Sequence, residues 1–202
     1  MHRVMKFCVD TSGRGWLLKP ARTWNGQDKN FRFKIKGKAD ADYAKCPKTR
    51  RSVSGYCVYL EEAPVMVKSA MQKTVALSVT EAELMSGVTC AQDMLYTMRI
   101  LESMELKVEL PMILEIDNSA AVDIANDWSI SARTRHVDTR LHFLREMKEM
   151  NVIKTIWTSG KLNEADMFTK NLGGADFNRH LKKFCGNDGY YSSQEDGESV
   201  RA

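Results

Sequence analysis

The hydrophobic pattern of the chain first becomes regular at residues 31–40, FRFKIKGKAD, where apolar or small residues alternate with charged ones. This two-residue period predicts a half-buried strand that presents Asp40 at its end. Two further apolar runs, Ser52–Leu60 and Val65–Ser69, flank the turn sequence EEAP and predict an antiparallel hairpin. The chain therefore begins with three meandering strands.

The pattern changes to the period of a helix at Ser78. Ser78 and Glu81 have the spacing of a capping box, in which the hydroxyl covers one free amide and the carboxylate reaches back to another. Gly87 and Cys90 form a small-residue face that allows another element to approach closely. The apolar residues that recur at helical spacing and predict a buried stripe are Leu84, Val88, Ala91, Leu95 and Met98.

Shorter segments complete the predicted order of elements. Met112–Ile116 and Ile153–Trp157 are apolar runs too short for helices, so they predict strands. Ser119–Trp128 and Val137–Met150 predict helices, and Asn163 is the expected N-cap of a last helix. Three strands followed by alternating helices and strands predict an α/β fold with a mixed five-stranded sheet and helices on both faces.

Length and composition narrow the class of protein. A chain of 202 residues is expected to form one domain with a sizeable core. No apolar run approaches the length of a membrane span and the first residues lack the apolar region of a signal peptide, so we expect an intracellular protein without a membrane partner. Five scattered cysteines without a CxxC pair predict reduced thiols, not disulfides or a zinc site.

Positive charge is concentrated at the start of the chain. Residues 1–54 contain 14 Lys and Arg against 4 Asp and Glu, whereas the remainder contains 16 against 22. A basic face on an otherwise acidic protein favours a polyanionic partner. Lys48, Arg50 and Arg51 lie together in the sequence KCPKTRR, where nucleic-acid contacts and a solvated loop are both open interpretations.

Acidic residues stand at the ends of four predicted elements, and these are Asp40, Glu83, Asp117 and Asp166. Element ends of an open α/β sheet meet at one edge, where such folds place their chemistry. Converging carboxylates repel one another unless cations neutralise them, and oxygen ligands suit Mg²⁺ or Mn²⁺. Two such ions stabilise the attacking and leaving oxygens of a phosphodiester displacement. On spacing alone, helix caps and solvated rim residues remain the alternative.

Several stretches occur in the order and at the approximate spacing of a known family: DADYAK, RRSVSGY, KTVALSVTEAEL, DNSAAV, RTRHVDTRLHFLRE and NEADMFTKNL. Over residues 37–185 the chain resembles the ribonuclease H domain of copia-type LTR retrotransposon polyproteins. Residues 1–36 resemble, less specifically, the connecting segment that follows the polymerase part. Residues 186–202 lack periodicity, so we expect a disordered tail.

The resemblance implies a ribonuclease H-like fold and hydrolysis of the RNA strand of RNA–DNA hybrids with two Mg²⁺ or Mn²⁺ ions. Matched motif by motif, the catalytic and metal-binding acids are Asp40, Glu83, Asp117 and Asp166, with Asp42 and Glu81 as second choices. The chain departs from the family pattern at Tyr43, Lys45 and Glu61-Glu62, where Trp, Gly and glycines are usual. These departures affect the expected substrate affinity and hairpin shape, and they leave the matched acids in place.

The remaining basic residues complete the predicted nucleic-acid surface. Arg133, Arg135 and Arg140 are expected to contact phosphates, together with Lys48, Arg50 and Arg51. His136 and His142 are expected to have surface or packing roles. No YVDD-like polymerase motif is present, so the expected partners are an RNA–DNA hybrid and the reverse transcriptase portion of a parent polyprotein.

Two other functions are compatible with parts of the pattern. The first is a catalytically silent hybrid-binding or connecting domain of a degenerate polyprotein, which the presence of all four matched acids disfavours. The second is a transposase or integrase relative, whose acids are typically two Asp and a late Glu, unlike the early Glu83. The preferred function places the protein in a cytoplasmic particle or the nucleus, not outside the cell.

Overall fold

A mixed five-stranded sheet forms the centre of the computed structural model, which describes residues 15–127 and 138–185. The described residues contain seven strands, which in chain order are β1 (Arg32–Phe33), β2 (Ile35–Asp42), β3 (Val53–Leu60), β4 (Ala63–Met71), β5 (Lys107–Val108), β6 (Met112–Ile116) and β7 (Ile153–Trp157). Of these, β1 and β5 form a separate two-stranded parallel sheet. The five-stranded sheet has the order β4-β3-β2-β6-β7, with antiparallel pairing among the first three strands and parallel pairing from β2 to β7. The predicted α/β class and five-stranded sheet are confirmed.

Helices follow the strands in the predicted order. They are α1 (Val79–Ser103), α2 (Ser119–Asn126), α3 (Asp138–Glu149) and α4 (Gly174–Leu181), with short 3₁₀ helices at Gly160–Leu162 and Glu164–Phe168. None of the helices in the described ranges is long and apolar enough to span a membrane. The predicted tail at residues 186–202 and the start of the predicted helix at Val137 lie outside the described residues.

Helix α1 begins where the capping box predicts. The Ser78 hydroxyl accepts from the Glu81 amide at 3.1 Å, whereas the Glu81 carboxylate accepts from the amide of Leu77 at 2.7 Å, one residue before the expected donor. The helix packs its apolar stripe on the sheet. A Cβ at Gly87 would lie 2.8 Å from Cδ1 of Ile116, so the absent side chain allows α1 to approach β6 closely.

Strand β2 differs from the prediction of a half-buried strand. It is the central strand of the sheet, and both of its faces are covered. Lys38 and Asp40, predicted on a solvated face, are buried. The reason is that the 3₁₀ helix Glu164–Phe168 packs over this polar face and pairs with it, with Lys38 Nζ 2.6 Å from Glu164 Oε2.

Other element boundaries agree with the sequence pattern to within a few residues. The hairpin turn is shorter than EEAP, because β4 already begins at Ala63. Glu61 and Glu62 both have positive φ angles, 52° and 67°, as a two-residue turn between twisted strands requires. Asn163 caps as predicted, its side-chain oxygen accepting from the Ala165 amide at 3.2 Å, but the element that it opens is the short 3₁₀ helix Glu164–Phe168.

Residues 15–34 precede the central strand and contact residues that are distant in the chain. The Leu17 amide donates to the Phe184 carbonyl at 2.8 Å, and the Arg22 guanidinium lies 2.6 Å from the carboxylate of Glu61. The predicted connecting segment therefore contacts both the hairpin turn and the C-terminal end of the described chain. Its role as a connection to a polymerase part stays a prediction.

Candidate active site

Three acidic side chains meet at one edge of the central sheet. Asp40 lies in β2 and Asp117 directly follows β6, and the two strands are parallel neighbours in which Ala39 pairs with Ile116. Glu83 joins them from the second turn of α1. The three residues each offer a carboxylate oxygen, and these oxygens all lie within 4.8 Å of one another. The topology thus brings together three of the four predicted acids.

Burial disfavours the ionised form of the carboxyl groups in this cluster. Asp40 is 0% exposed and Glu83 is 4% exposed. Burial, followed by the charges of Asp40 and Asp117, raises the pKa of Glu83 from 4.5 to about 9. Burial and the charge of Asp40 also raise the pKa of Asp117. One oxygen of Glu83, Oε2, is buried without a hydrogen-bond partner among the described residues, so the cluster has an unused ligand atom.

Asp166, the fourth predicted acid, is connected to Asp40 through a lysine. The ammonium group of Lys170 lies 2.9 Å from an oxygen of Asp40 and 2.9 Å from an oxygen of Asp166. Burial and the charge of Asp40 raise the pKa of Asp166 to about 6. Burial opposes the charged form of Lys170, but its hydrogen bonds to the two carboxylates outweigh this effect and raise the pKa of Lys170. Thr169 donates from its hydroxyl to the other oxygen of Asp40.

Side chains outside the cluster position the segment that carries Asp166. Lys38 bonds to Glu164 at 2.6 Å, and the amide group of Asn163 donates to the Ala39 carbonyl at 2.9 Å. These contacts dock the 3₁₀ helix Glu164–Phe168 on β2. A Cβ at Gly55 of β3 would lie 2.5 Å from Cγ2 of Thr169, so close docking requires glycine there.

The Asp117 side of the cluster is bounded by the end of β7. The indole nitrogen of Trp157 donates to the main-chain carbonyl of Asp117 at 3.0 Å, and the indole ring is partly exposed beside the site. A Cβ at Gly160 would lie 3.1 Å from Oδ2 of Asp117, so the absence of a side chain leaves this carboxylate accessible from that direction.

The second-choice acids have other partners. Asp42 lies 2.5 Å from the ammonium group of Lys45, and the Glu81 carboxylate caps α1. Among the basic residues, Lys48, Arg50 and Arg51 are exposed in the loop between β2 and β3, and Arg140 is exposed on α3. Arg133, Arg135 and His136 lie outside the described residues.

Lys170, Thr169 and Lys38 are site residues whose contacts the sequence pattern does not identify. Lys170 could have been found, because an acid and a base four residues apart often pair, and Asp166 and Lys170 have this spacing. Lys38 offered no such signal, since its partner Glu164 is far away in the chain. The alternation alone predicts a solvated face for this side chain.

The donor set fits divalent cations. Hard oxygen ligands at the end of a buried sheet suit Mg²⁺ or Mn²⁺, and the four carboxylates outnumber the one ammonium group of Lys170 that lies between two of them. Asp40, Glu83 and Asp117 would hold a first ion. Asp40 and Asp166 would hold a second one.

The chain has a sequence relative among retrovirus-related Pol polyproteins. No protein-family model matches the chain. The chain is 32% identical over 158 residues to the retrovirus-related Pol polyprotein from transposon TNT 1-94 of Nicotiana tabacum, a match that covers 77% of this chain and 12% of that protein. The chain thus spans a small part of this relative's length.

Two solved structures with a similar fold are those of a ribonuclease H. LC11-RNase H1, isolated from compost by a metagenomic approach, superimposes with a TM-score of 0.51 at 13% identity, over 73% of this chain and 98% of that one. The same enzyme in complex with an RNA/DNA hybrid gives a TM-score of 0.50 at 11% identity, over 67% and 94% of the two chains. At these identities the likeness establishes the fold.

Proposed function

Because the chain has the ribonuclease H fold and its homologues are Pol polyproteins of copia-type transposons, we propose that it hydrolyses the RNA strand of RNA–DNA hybrids. The reaction would use two Mg²⁺ or Mn²⁺ ions and would serve retrotransposon reverse transcription. The reverse transcriptase portion of a parent polyprotein is the proposed protein partner.

The observation that carries this proposal is the convergence of Asp40, Glu83 and Asp117 within 4.8 Å, with an unpartnered buried oxygen on Glu83. Bound divalent ions supply charge stabilisation to the attacking and leaving oxygens of a phosphodiester displacement. The protein's own contribution is to hold the carboxylates in place before substrate arrives. Asp40 is fixed by Thr169 and Lys170, and Asp117 is fixed by its position at the end of β6.

Recognition of the hybrid is proposed to depend on charge and shape. Lys48, Arg50 and Arg51 are exposed in the loop that follows β2, the strand that carries Asp40. A nucleic acid bound at the carboxylates could place its backbone along these side chains, which would neutralise phosphates without reading sequence. Discrimination of RNA from DNA would come from groove shape and 2′-hydroxyl groups.

One observation favours the alternative of a silent hybrid-binding domain. The Lys170 ammonium group already neutralises Asp40 and Asp166, so these two acids are stable without a metal ion. The two functions differ in their products, because a silent domain binds the hybrid and leaves both strands intact.

The test is incubation of the protein with a hybrid that carries a label on each strand, in Mg²⁺, in Mn²⁺ and in chelator. We expect cleavage of the RNA strand alone, in the presence of either ion. Double-stranded DNA of the same sequence is the control substrate. Equal cleavage of that duplex, or undiminished cleavage in chelator, would reject the proposed reaction, and binding without cleavage would support the silent domain.

A further inference from the structure

A side-chain cation already occupies one side of the carboxylate cluster. Lys170 Nζ lies 2.9 Å from Oδ1 of Asp40 and 2.9 Å from Oδ1 of Asp166, so two of its three donors are used by these acids. The group therefore lies between the two carboxylates that would share the second ion.

The other side of the cluster lacks such a cation. Asp40, Glu83 and Asp117 approach one another within 4.8 Å, and Oε2 of Glu83 has no hydrogen-bond partner in the described part of the chain. Lys170 contacts Asp40 alone among these three acids, and it acts on Glu83 and Asp117 only from a distance. The two halves of the site are therefore unequal before any metal binds.

We propose that Lys170 is a displaceable internal cation that makes the two divalent ions bind in order. This inference rests on the proposed function. A first ion would be held by Asp40, Glu83 and Asp117, where Oε2 of Glu83 has no hydrogen-bond partner among the described residues. The second binds more weakly, because the ammonium group must first leave Asp40 and Asp166. Lys170 is thus a positioning residue for the metal-free site and a competitor of the second ion.

The surroundings of Lys170 permit this movement. The side chain is 38% exposed, whereas that of Asp40 is 0% exposed, so the lysine has solvent to move into while the aspartate stays fixed. A long flexible stem lets the ammonium group reach water without moving the backbone. Thr169 continues to donate to Asp40, so the displacement does not leave that buried acid without a partner.

The inference is tested by Mn²⁺ titration without nucleic acid, using electron paramagnetic resonance to count free and bound ions. The wild-type protein should bind one ion tightly and a second one at least about tenfold more weakly, the scale of a typical coupling between ligands. In Lys170→Met the second ion should bind about tenfold more tightly than in the wild type, and the first should change less. Lys154→Met, at an exposed position in β7, is the matched control and should reproduce the wild-type values.

A second variant controls for misfolding of Lys170→Met. Lys170→Gln keeps a donor for Asp40 but removes the charge, so it should also tighten the second ion. If the second affinity is unchanged in both folded variants, or weaker, the proposed competition is wrong while the proposed function stands. If the wild-type protein binds no Mn²⁺ at all, the metal-dependent function itself fails, and the inference fails with it.

Discussion

Replacement of Glu83 by Gln is expected to stabilise the metal-free protein at alkaline pH. Glu83 is buried beside Asp40 and Asp117, and burial followed by their charges raises its pKa from 4.5 to about 9. A group whose pKa is raised on folding favours the folded state at low pH. Below pH 4.5 Glu83 is protonated in both the folded and the unfolded protein. Between pH 4.5 and 9 it ionises mainly in the unfolded protein, so the free energy of unfolding falls as the pH rises.

The magnitude follows from the size of this shift. Each pH unit above 4.5 costs about 1.4 kcal/mol of folding stability, so the limiting loss at pH 8 is about 5 kcal/mol. Local relaxation and water entry reduce such penalties, and we therefore expect the Glu83→Gln variant to gain about 2–4 kcal/mol over the wild type at pH 8. At pH 4 the difference should largely disappear.

The assay is urea denaturation in chelator at several pH values between 4 and 9. Glu102→Gln, at an exposed position in the same helix, is the matched control and should follow the wild type. Added Mg²⁺ should restore stability to the wild type more than to Glu83→Gln, because the ion neutralises the charge that the variant lacks. A stability difference between wild type and Glu83→Gln that does not change with pH would refute the assigned burial of this charge.

Three further variants test other parts of the protein. Asp117→Asn should abolish cleavage while hybrid binding, measured by filter retention, persists; near wild-type turnover would mean that the wrong acids were chosen. Replacing Lys48, Arg50 and Arg51 with Ala should reduce the slope of log hybrid affinity against log salt concentration by about one unit for each lost phosphate contact. Turnover at saturating substrate should change little. An unchanged slope would mean that these residues form a solvated loop. Gly55→Ala should lower the free energy of unfolding, measured by thermal denaturation, by about 1–3 kcal/mol and should reduce turnover, because the new Cβ would lie 2.5 Å from Cγ2 of Thr169. Gly173→Ala is the control and should change neither quantity, because a Cβ at Gly173 would have no atom within 4 Å.

Local signals in the sequence predicted the elements well. The capping box at Ser78 set the start of α1, and the short apolar runs Met112–Ile116 and Ile153–Trp157 match β6 and β7 residue for residue. These signals depend on neighbours within a few positions, which is the range over which hydrophobic period and capping chemistry act. The convergence of Asp40 with Asp117 also followed from parallel strands ending at one edge.

The environment of the acids could not be predicted in the same way. Alternation in residues 31–40 predicts a solvated face for Lys38 and Asp40, yet both are buried. Their partners, Glu164 and Lys170, lie more than a hundred residues later in the chain, so no local pattern reveals them. A strand whose polar face is covered by complementary charges has the same sequence period as one that faces water.

The burial of that face links the stability of the fold to the geometry of the site. Lys38 and Asp40 point to the same side of β2. The segment packed on that side, residues 164–170, places the Glu164 carboxylate against Lys38 and the Lys170 ammonium group against Asp40. The order of charges on this segment is opposite to the order on β2. Residues 164–170 can therefore dock in only one register, because a shift along β2 would bring like charges together. Asp166 is carried by the same segment. The Lys38–Glu164 pair, a structural contact that takes no part in the proposed chemistry, therefore helps to position Asp166 relative to Asp40.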